Sequence, residues 1–115
     1  MILCIETATG ECSAALCDEK RIHGVIEAPP GKSHAAALTV IIQQLMTENR
    51  IRPTDLDAVA VSKGPGSYTG LRIGVSAAKG IAYGAGIPII AINTLEAMCS
   101  GYVSLYPEDL HDGVL

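Results

Sequence analysis

Any chemistry in this 115-residue sequence has to come from a few polar side chains and one glycine-rich stretch. The stretch is Gly64-Pro65-Gly66-Ser67-Tyr68-Thr69-Gly70-Leu71-Arg72-Ile73-Gly74, set between an apolar run (Leu56 to Val61) and a helix-compatible segment reaching Ala85. A glycine-rich passage from strand to helix gathers free backbone N–H groups at the positive end of a helix, which is the physics of an anion site. On that reading Thr7, Gly64, Gly66, Ser67, Tyr68 and Thr69 are candidate nucleotide or anion contacts. The same residues suit a structural turn, with Ser67 or Thr69 as the helix N-cap. Neither GxxxxGK[ST] nor GxGxxG is present, so the pattern leaves both readings open.

The other reactive residue types form no constellation. Glu6 ends an apolar run beside Thr7-Ala8-Thr9 and could position a metal or a water, but a second carboxylate for two-metal work is missing at any obvious spacing. A lone acid at a strand end is more often solvated. Ser33-His34 are neighbours in sequence, which does not make a nucleophile and its base. His34 reads as an early helix residue and His23 as a strand surface residue, while His111 carries no signal. Without HxxxH or HExxH, a metal centre has little support. The four cysteines (Cys4, Cys12, Cys17 and Cys99) contain no CxxC pair. Buried, reduced thiols are the expectation for them.

Composition narrows the class. Apolar residues make up 49% and charged residues 17%, which argues for a globular chain. The length suits one domain with a real core. There is no Phe, no Trp and only four Tyr, so a stacking platform for single-stranded nucleic acid is disfavoured. A net charge of −4 argues against a large phosphate-binding surface, and if nucleic acid is a partner, another subunit is expected to supply most of the positive charge. The first residues carry no signal-peptide pattern, and no apolar run approaches the ~18 residues of a membrane span. A cytoplasmic protein with no membrane partner is expected.

These residues need elements to position them. Met1 to Thr7 reads as a central strand covered on both faces, because Ile2 and Cys4 face one side and Leu3 and Ile5 the other. Cys12 to Cys17 and Arg21 to Glu27 continue an antiparallel meander, the third strand at an edge. After Pro29-Pro30-Gly31, Ser33 can cap a helix from about His34 to Asn49 whose apolar stripe is Leu38, Ile41, Ile42 and Leu45. Ala58 to Ser62 is the fourth strand, the glycine-rich stretch leads into the second helix, and Ile89 to Ile92 is the fifth strand. A third helix is expected from Leu95 towards Gly101. The order β-β-β-α-β-α-β-α predicts an α/β fold: a mixed five-stranded sheet, antiparallel first and parallel afterwards, with helices on both faces. The lobe is placed at residues 1–103, with 104–115 a tail or the start of a linker.

The second helix has an unusually smooth surface. At about 100° per residue, Gly70, Gly74, Ala77, Ala78, Ile81 and Ala85 share a face carrying one large side chain. Helix-interior glycines each cost about 1 kcal/mol relative to alanine, so close approach of another element is expected to offset them. That element is either the chain's own sheet or a helix of another subunit, and the expectation here favours the subunit. Arg72 and Lys79 lie on a different face, as solvated charges or as contacts for an anion or a partner carboxylate.

Three segments together resemble one family. Ile5-Glu6-Thr7-Ala8-Thr9, then Cys12-Ser13-Ala14-Ala15-Leu16, then Gly64 to Gly74 look like the N-terminal half of the TsaB (YeaZ-type) family, and Ser33-His34 and Ile92-Asn93-Thr94-Leu95 fit it in position. The resemblance implies one lobe of an actin-like, ribonuclease H-like fold. It also implies a role in making N6-threonylcarbamoyladenosine at position 37 of tRNA, as a non-catalytic scaffold for a catalytic TsaD-type paralogue, with an ATP-binding TsaE-type subunit. Members pair through their first two helices, with themselves or with the paralogue, so a homodimer is plausible. Leu38, Ile42, Gly70, Arg72, Gly74, Ala77, Ala78 and Ile81 are then the expected interface. Replacing Gly74 by Leu is expected to block pairing without unfolding the chain. No cofactor is expected on this chain alone, although ATP or ADP could sit at a subunit interface. The alternative is a fragment of an actin-like ATPase, a sugar kinase or a glycoprotease-like metallopeptidase, using Glu6, the Thr7-Ala8-Thr9 turn and the glycine-rich loop. Family members are about twice this length, consistent with two domains.

Overall fold

A computed structural model describes residues 1–8, 12–29 and 34–93. Its strands are β1 (Ile2–Glu6), β2 (Ser13–Cys17), β3 (Ile22–Glu27), β4 (Ala58–Gly64) and β5 (Ile89–Asn93), and its helices are α1 (His34–Glu48) and α2 (Tyr68–Ala85). A single turn of 3-10 helix, Pro53–Asp55, leads into β4. The sheet order is β3-β2-β1-β4-β5. The first three strands are antiparallel, with Leu3 opposite Leu16 and Ala14 opposite Ile26. β4 runs parallel to β1, with Leu3 beside Val59, and β5 runs parallel to β4. The mixed five-stranded sheet, the meander and the central place of β1 are as the sequence predicts.

Strand alternation decides which face is dry. Leu3, Ile5, Ala14, Leu16, Val59 and Val61 are buried and join α1 and α2 in one apolar cluster. Full burial of an aliphatic side chain of this size is worth about 1.5–3 kcal/mol, so this row anchors the fold. The helix stripe fits it, since Leu38, Ile41, Ile42 and Leu45 are all buried while Gln43, Gln44 and Thr47 face water. Both described helices therefore cover the same face. The third helix expected from Leu95 to Gly101, the boundary at 103, the tail and the Ser33 cap lie outside the described residues. Burial along β1 alternates, with Ile2, Cys4 and Glu6 half-buried, so the expected covering of both its faces is not met among the described residues.

Each described helix end has a local cause. The α1 terminus reverses the chain with Arg50 at φ 55, and the Ile51 N–H donates back to the Met46 carbonyl at 2.9 Å. This is the helix stop usually built on glycine. At α2 the Ser67 hydroxyl accepts from the Gly70 N–H at 3.3 Å, and Gly86 takes the left-handed conformation at φ 69. Ser67, rather than Thr69, is the N-cap.

Candidate functional site

The glycine-rich stretch is first a joint between β1 and α2. Gly66 lies against Ala8, and an ideal Cβ on Gly66 falls 2.5 Å from the Ala8 carbonyl oxygen. No side chain fits there. The Ser67 N–H donates to that same carbonyl at 2.6 Å, so backbone meets backbone where β1 ends and α2 begins. Gly64 closes β4 with φ 116, a region that L side chains avoid. Gly66, Ser67, Tyr68 and Thr69 stand exposed at the start of α2, and the Arg72 guanidinium lies 5.5 Å from the Tyr68 ring centroid. Four of the expected anion contacts thus share one helix N-terminus, while Ser67 spends its hydroxyl on the cap and its N–H on Ala8.

Thr7 is placed elsewhere. It is wholly buried beneath α2, and its hydroxyl oxygen has no hydrogen-bond partner among the described residues. The hydroxyl occupies the space a Cβ on Gly74 would need. Thr7 is therefore a packing residue under the helix, a correction to its expected role as a ligand contact. Glu6 is also engaged. Its carboxylate accepts from the Ala8 N–H at 2.7 Å and from the Ser62 hydroxyl, tying β1 to β4. The solvated acid expected at this position is a structural one. Sequence spacing could not reveal it, because Ser62 lies far along the chain and meets Glu6 only through the parallel β1–β4 pairing.

The expected interface residues divide between two environments. Gly70, Gly74 and Ala78, with Ala82, form the sheet-facing row of α2 and are buried inside the chain. Leu38 and Ile42 belong to the core under α1. The smooth row thus packs on the chain's own sheet, where a partner helix was expected, because β1 brings Thr7 and β4 brings its valines directly beneath it. Arg72 is exposed, and Ala77 and Ile81 are half-buried. These three line surface hollows between the helices. One, of about 510 Å³, runs along Ile42, Met46, Ile51, Ala77, Gly80 and Ile81. Another, of about 580 Å³, is lined by Leu38, Thr39, Thr69, Arg72, Ser76 and Ala77. The arrangement is an open, largely apolar seam between two helices that run in the same direction, with Arg72 near one end and Arg52 near the other.

The two carboxylates with lowered pKa values lie outside the lining of this seam. Asp18 is held well below the usual carboxylate range, chiefly by the His23 ring at 2.6 Å and then by the N–H groups of Arg21 and Lys20. Asp55 is lowered by the backbone N–H and side chain of Arg52. Among the described residues no group of three or more His, Cys, Asp or Glu is placed to hold a metal, and no helix is long and apolar enough to cross a membrane.

Comparison with known proteins bears on this arrangement. A family model described as "TsaD: tRNA N6-adenosine threonylcarbamoyltransferase" matches residues 15–108. The chain belongs to that family. Its relatives include proteins of the TsaB (YeaZ) type and tRNA N6-adenosine threonylcarbamoyltransferases. The tRNA threonylcarbamoyladenosine biosynthesis protein TsaB of Escherichia coli (strain K12) is 39% identical over 100 residues, covering 87% of this chain and 43% of the relative. The TsaB of Bacillus subtilis (strain 168) is 35% identical over 99 residues, covering 86% and 43%. Among solved structures, YeaZ from Pseudomonas aeruginosa superposes with a TM-score of 0.81 at 28% identity, covering 90% of this chain and 48% of that one. The fold is thus the actin-like, ribonuclease H-like lobe implied by the sequence motifs. The chain spans less than half the length of these relatives.

Proposed function

We propose that the chain acts in tRNA threonylcarbamoyladenosine biosynthesis as a non-catalytic scaffold, docking a TsaD-type catalytic paralogue along the seam between α1 and α2. The observation that carries this reading is the seam itself. Its walls, Met46, Ile51, Ala77 and Ile81 among them, are apolar, and it stays open between two helices whose sheet-facing sides are already packed. Knob-and-groove contact with two helices of a partner is the usual way to close such a surface. The carboxylate best placed for chemistry, Glu6, is occupied by Ala8 and Ser62, which supports a scaffold over an enzyme. A TsaE-type ATP-binding subunit, and tRNA held through the complex, complete the assembly on this reading. A homodimer would use the same seam, and ATP or ADP would sit at a subunit junction near Gly66 to Thr69. The working compartment is the cytoplasm.

The test is capture by a purified TsaD-type subunit. Ala77→Glu and Ile81→Asp place a charge in the seam and are expected to weaken capture by about tenfold or more, a loss of at least ~1.4 kcal/mol. Circular dichroism and thermal midpoints check that each variant stays folded. Wild-type chain that is not captured overturns the proposal. Titration with ATP and Mg²⁺ addresses the enzyme reading, since saturable binding with turnover by the chain alone would replace the scaffold with an ATPase or kinase.

A further inference from the structure

The sheet face opposite the helices carries a pair of thiols that the docking function does not use. Cys4 on β1 and Cys17 at the end of β2 point to the same side, with their sulfurs 3.6 Å apart. The register explains the meeting. Cys4 lies opposite Ala15 and Cys17 opposite Ile2, so the two cysteines are diagonal neighbours across an antiparallel pair. Both are free and half-buried, whereas Cys12 is buried. A hollow of about 180 Å³ opens beside Cys4, lined also by Glu6, Ser13, Ala15, Ser62 and Ile92. Small side chains such as Ser13, Ala15 and Ser62 thus leave room beside Cys4.

From this juxtaposition we infer that Cys4 and Cys17 form a dithiol site that reacts with low-molecular-weight disulfides and closes to an internal disulfide. The pair lacks the further ligands of a zinc centre, because no third His, Cys, Asp or Glu joins it among the described residues. Two sulfurs in contact suffice for thiol–disulfide exchange. Burial, reinforced by the neighbouring sulfur, pushes the Cys4 thiol up to about 12, so Cys4 keeps its proton at neutral pH. Cys17, at the strand end beside the Asp18 turn, is the sulfur that attacks first. Its thiolate takes one sulfur of the reagent, the reagent's S–S bond breaks, and one thiol leaves with a proton. Cys4 then loses its proton, attacks the Cys17 sulfur and expels the second thiol. The protein gives up two protons and two electrons, and one disulfide becomes two thiols.

The experiment treats the purified 115-residue chain with oxidised glutathione, blocks remaining thiols by alkylation and maps disulfides by mass spectrometry. The expected product is a Cys4–Cys17 linked peptide pair with loss of two free thiols. Cys4→Ser is expected to stop at a glutathione adduct on Cys17, because no resolving thiol remains. Cys17→Ser is expected to leave Cys4 unmodified under the same treatment. Wild-type chain that gathers only glutathione adducts, links through Cys12 or Cys99, or keeps both thiols free overturns the assignment. The wild-type map alone decides this, so a variant that fails to fold does not protect the proposal.

Discussion

The two long sides of α2 carry the same residue types to opposite ends. Towards the sheet, Gly70, Gly74, Ala78 and Ala82 recur every four residues and are all buried. Towards solvent, Gly80 and Gly84 show the same four-residue spacing, yet an ideal Cβ on either meets no atom of the described residues within 4 Å. Tyr83, beside them, is 93% exposed. A glycine pair four apart therefore has no fixed meaning. Inside, it lets the helix backbone settle on Thr7. Outside, each glycine forgoes about 1 kcal/mol of helix propensity with no contact among the described residues to offset it. A partner approaching that side would supply the offset, in line with the proposed docking.

The largest expected effect comes from the inner row. Gly74→Leu drives a side chain into the Thr7 side chain, and overpacking of this kind costs about 1–3 kcal/mol and occasionally more. Chemical denaturation should place the variant well below wild type, or find it unfolded. A near-normal midpoint would mean that α2 is not seated on β1 as described. The expectation that this change blocks pairing in a stable chain does not survive the observed contact.

Smaller and opposite in sign is the outer row. Gly80→Ala and Gly84→Ala should each stabilise the isolated chain by about 0.5–1 kcal/mol, because helix propensity improves and nothing is displaced. Urea midpoints of the single and double variants check the sign. Capture by a TsaD-type subunit sharpens the contrast. Gly80 lines the seam, so its alanine variant is expected to bind more weakly even though it folds better.

The smallest effect is an acid dependence confined to regions away from α2, which carries no Asp or Glu. Asp18 and Asp55 have folded-state pKa values below their ordinary ones, so their contribution is present above the usual carboxylate value of about 3.9 and is lost as pH falls through the folded value. Both carboxylates are exposed, which keeps the effect modest. Asp18→Asn should flatten the fall in stability as pH drops below about 4. Gly80→Ala should leave that slope unchanged. A change of slope in the alanine variant would couple the outer row to the acidic turns.

Much of the scaffold was legible from residue order. Alternation in Met1 to Thr7 and Ala58 to Ser62, the stripe Leu38-Ile41-Ile42-Leu45, and proline and glycine punctuation located all five strands and both described helices within a few residues. Those patterns are local consequences of backbone period and side-chain polarity. The site was less legible. Spacing showed that Gly70, Gly74 and Ala78 share a side of α2, but not what covers it. Glu6 looked solvated because its partner Ser62 lies in a distant strand, and Thr7 looked like a ligand contact because its burial depends on where α2 lands. The cysteines looked unrelated, because only the β1–β2 register brings Cys4 to Cys17.

The sequence by itself determined the elements, their order and the family resemblance, since each depends on residue type and short-range spacing. Tertiary structure decided which face of α2 is spent within the chain, where the seam remains open and which thiols meet. Those outcomes depend on strand order and register, which bring together residues far apart in sequence.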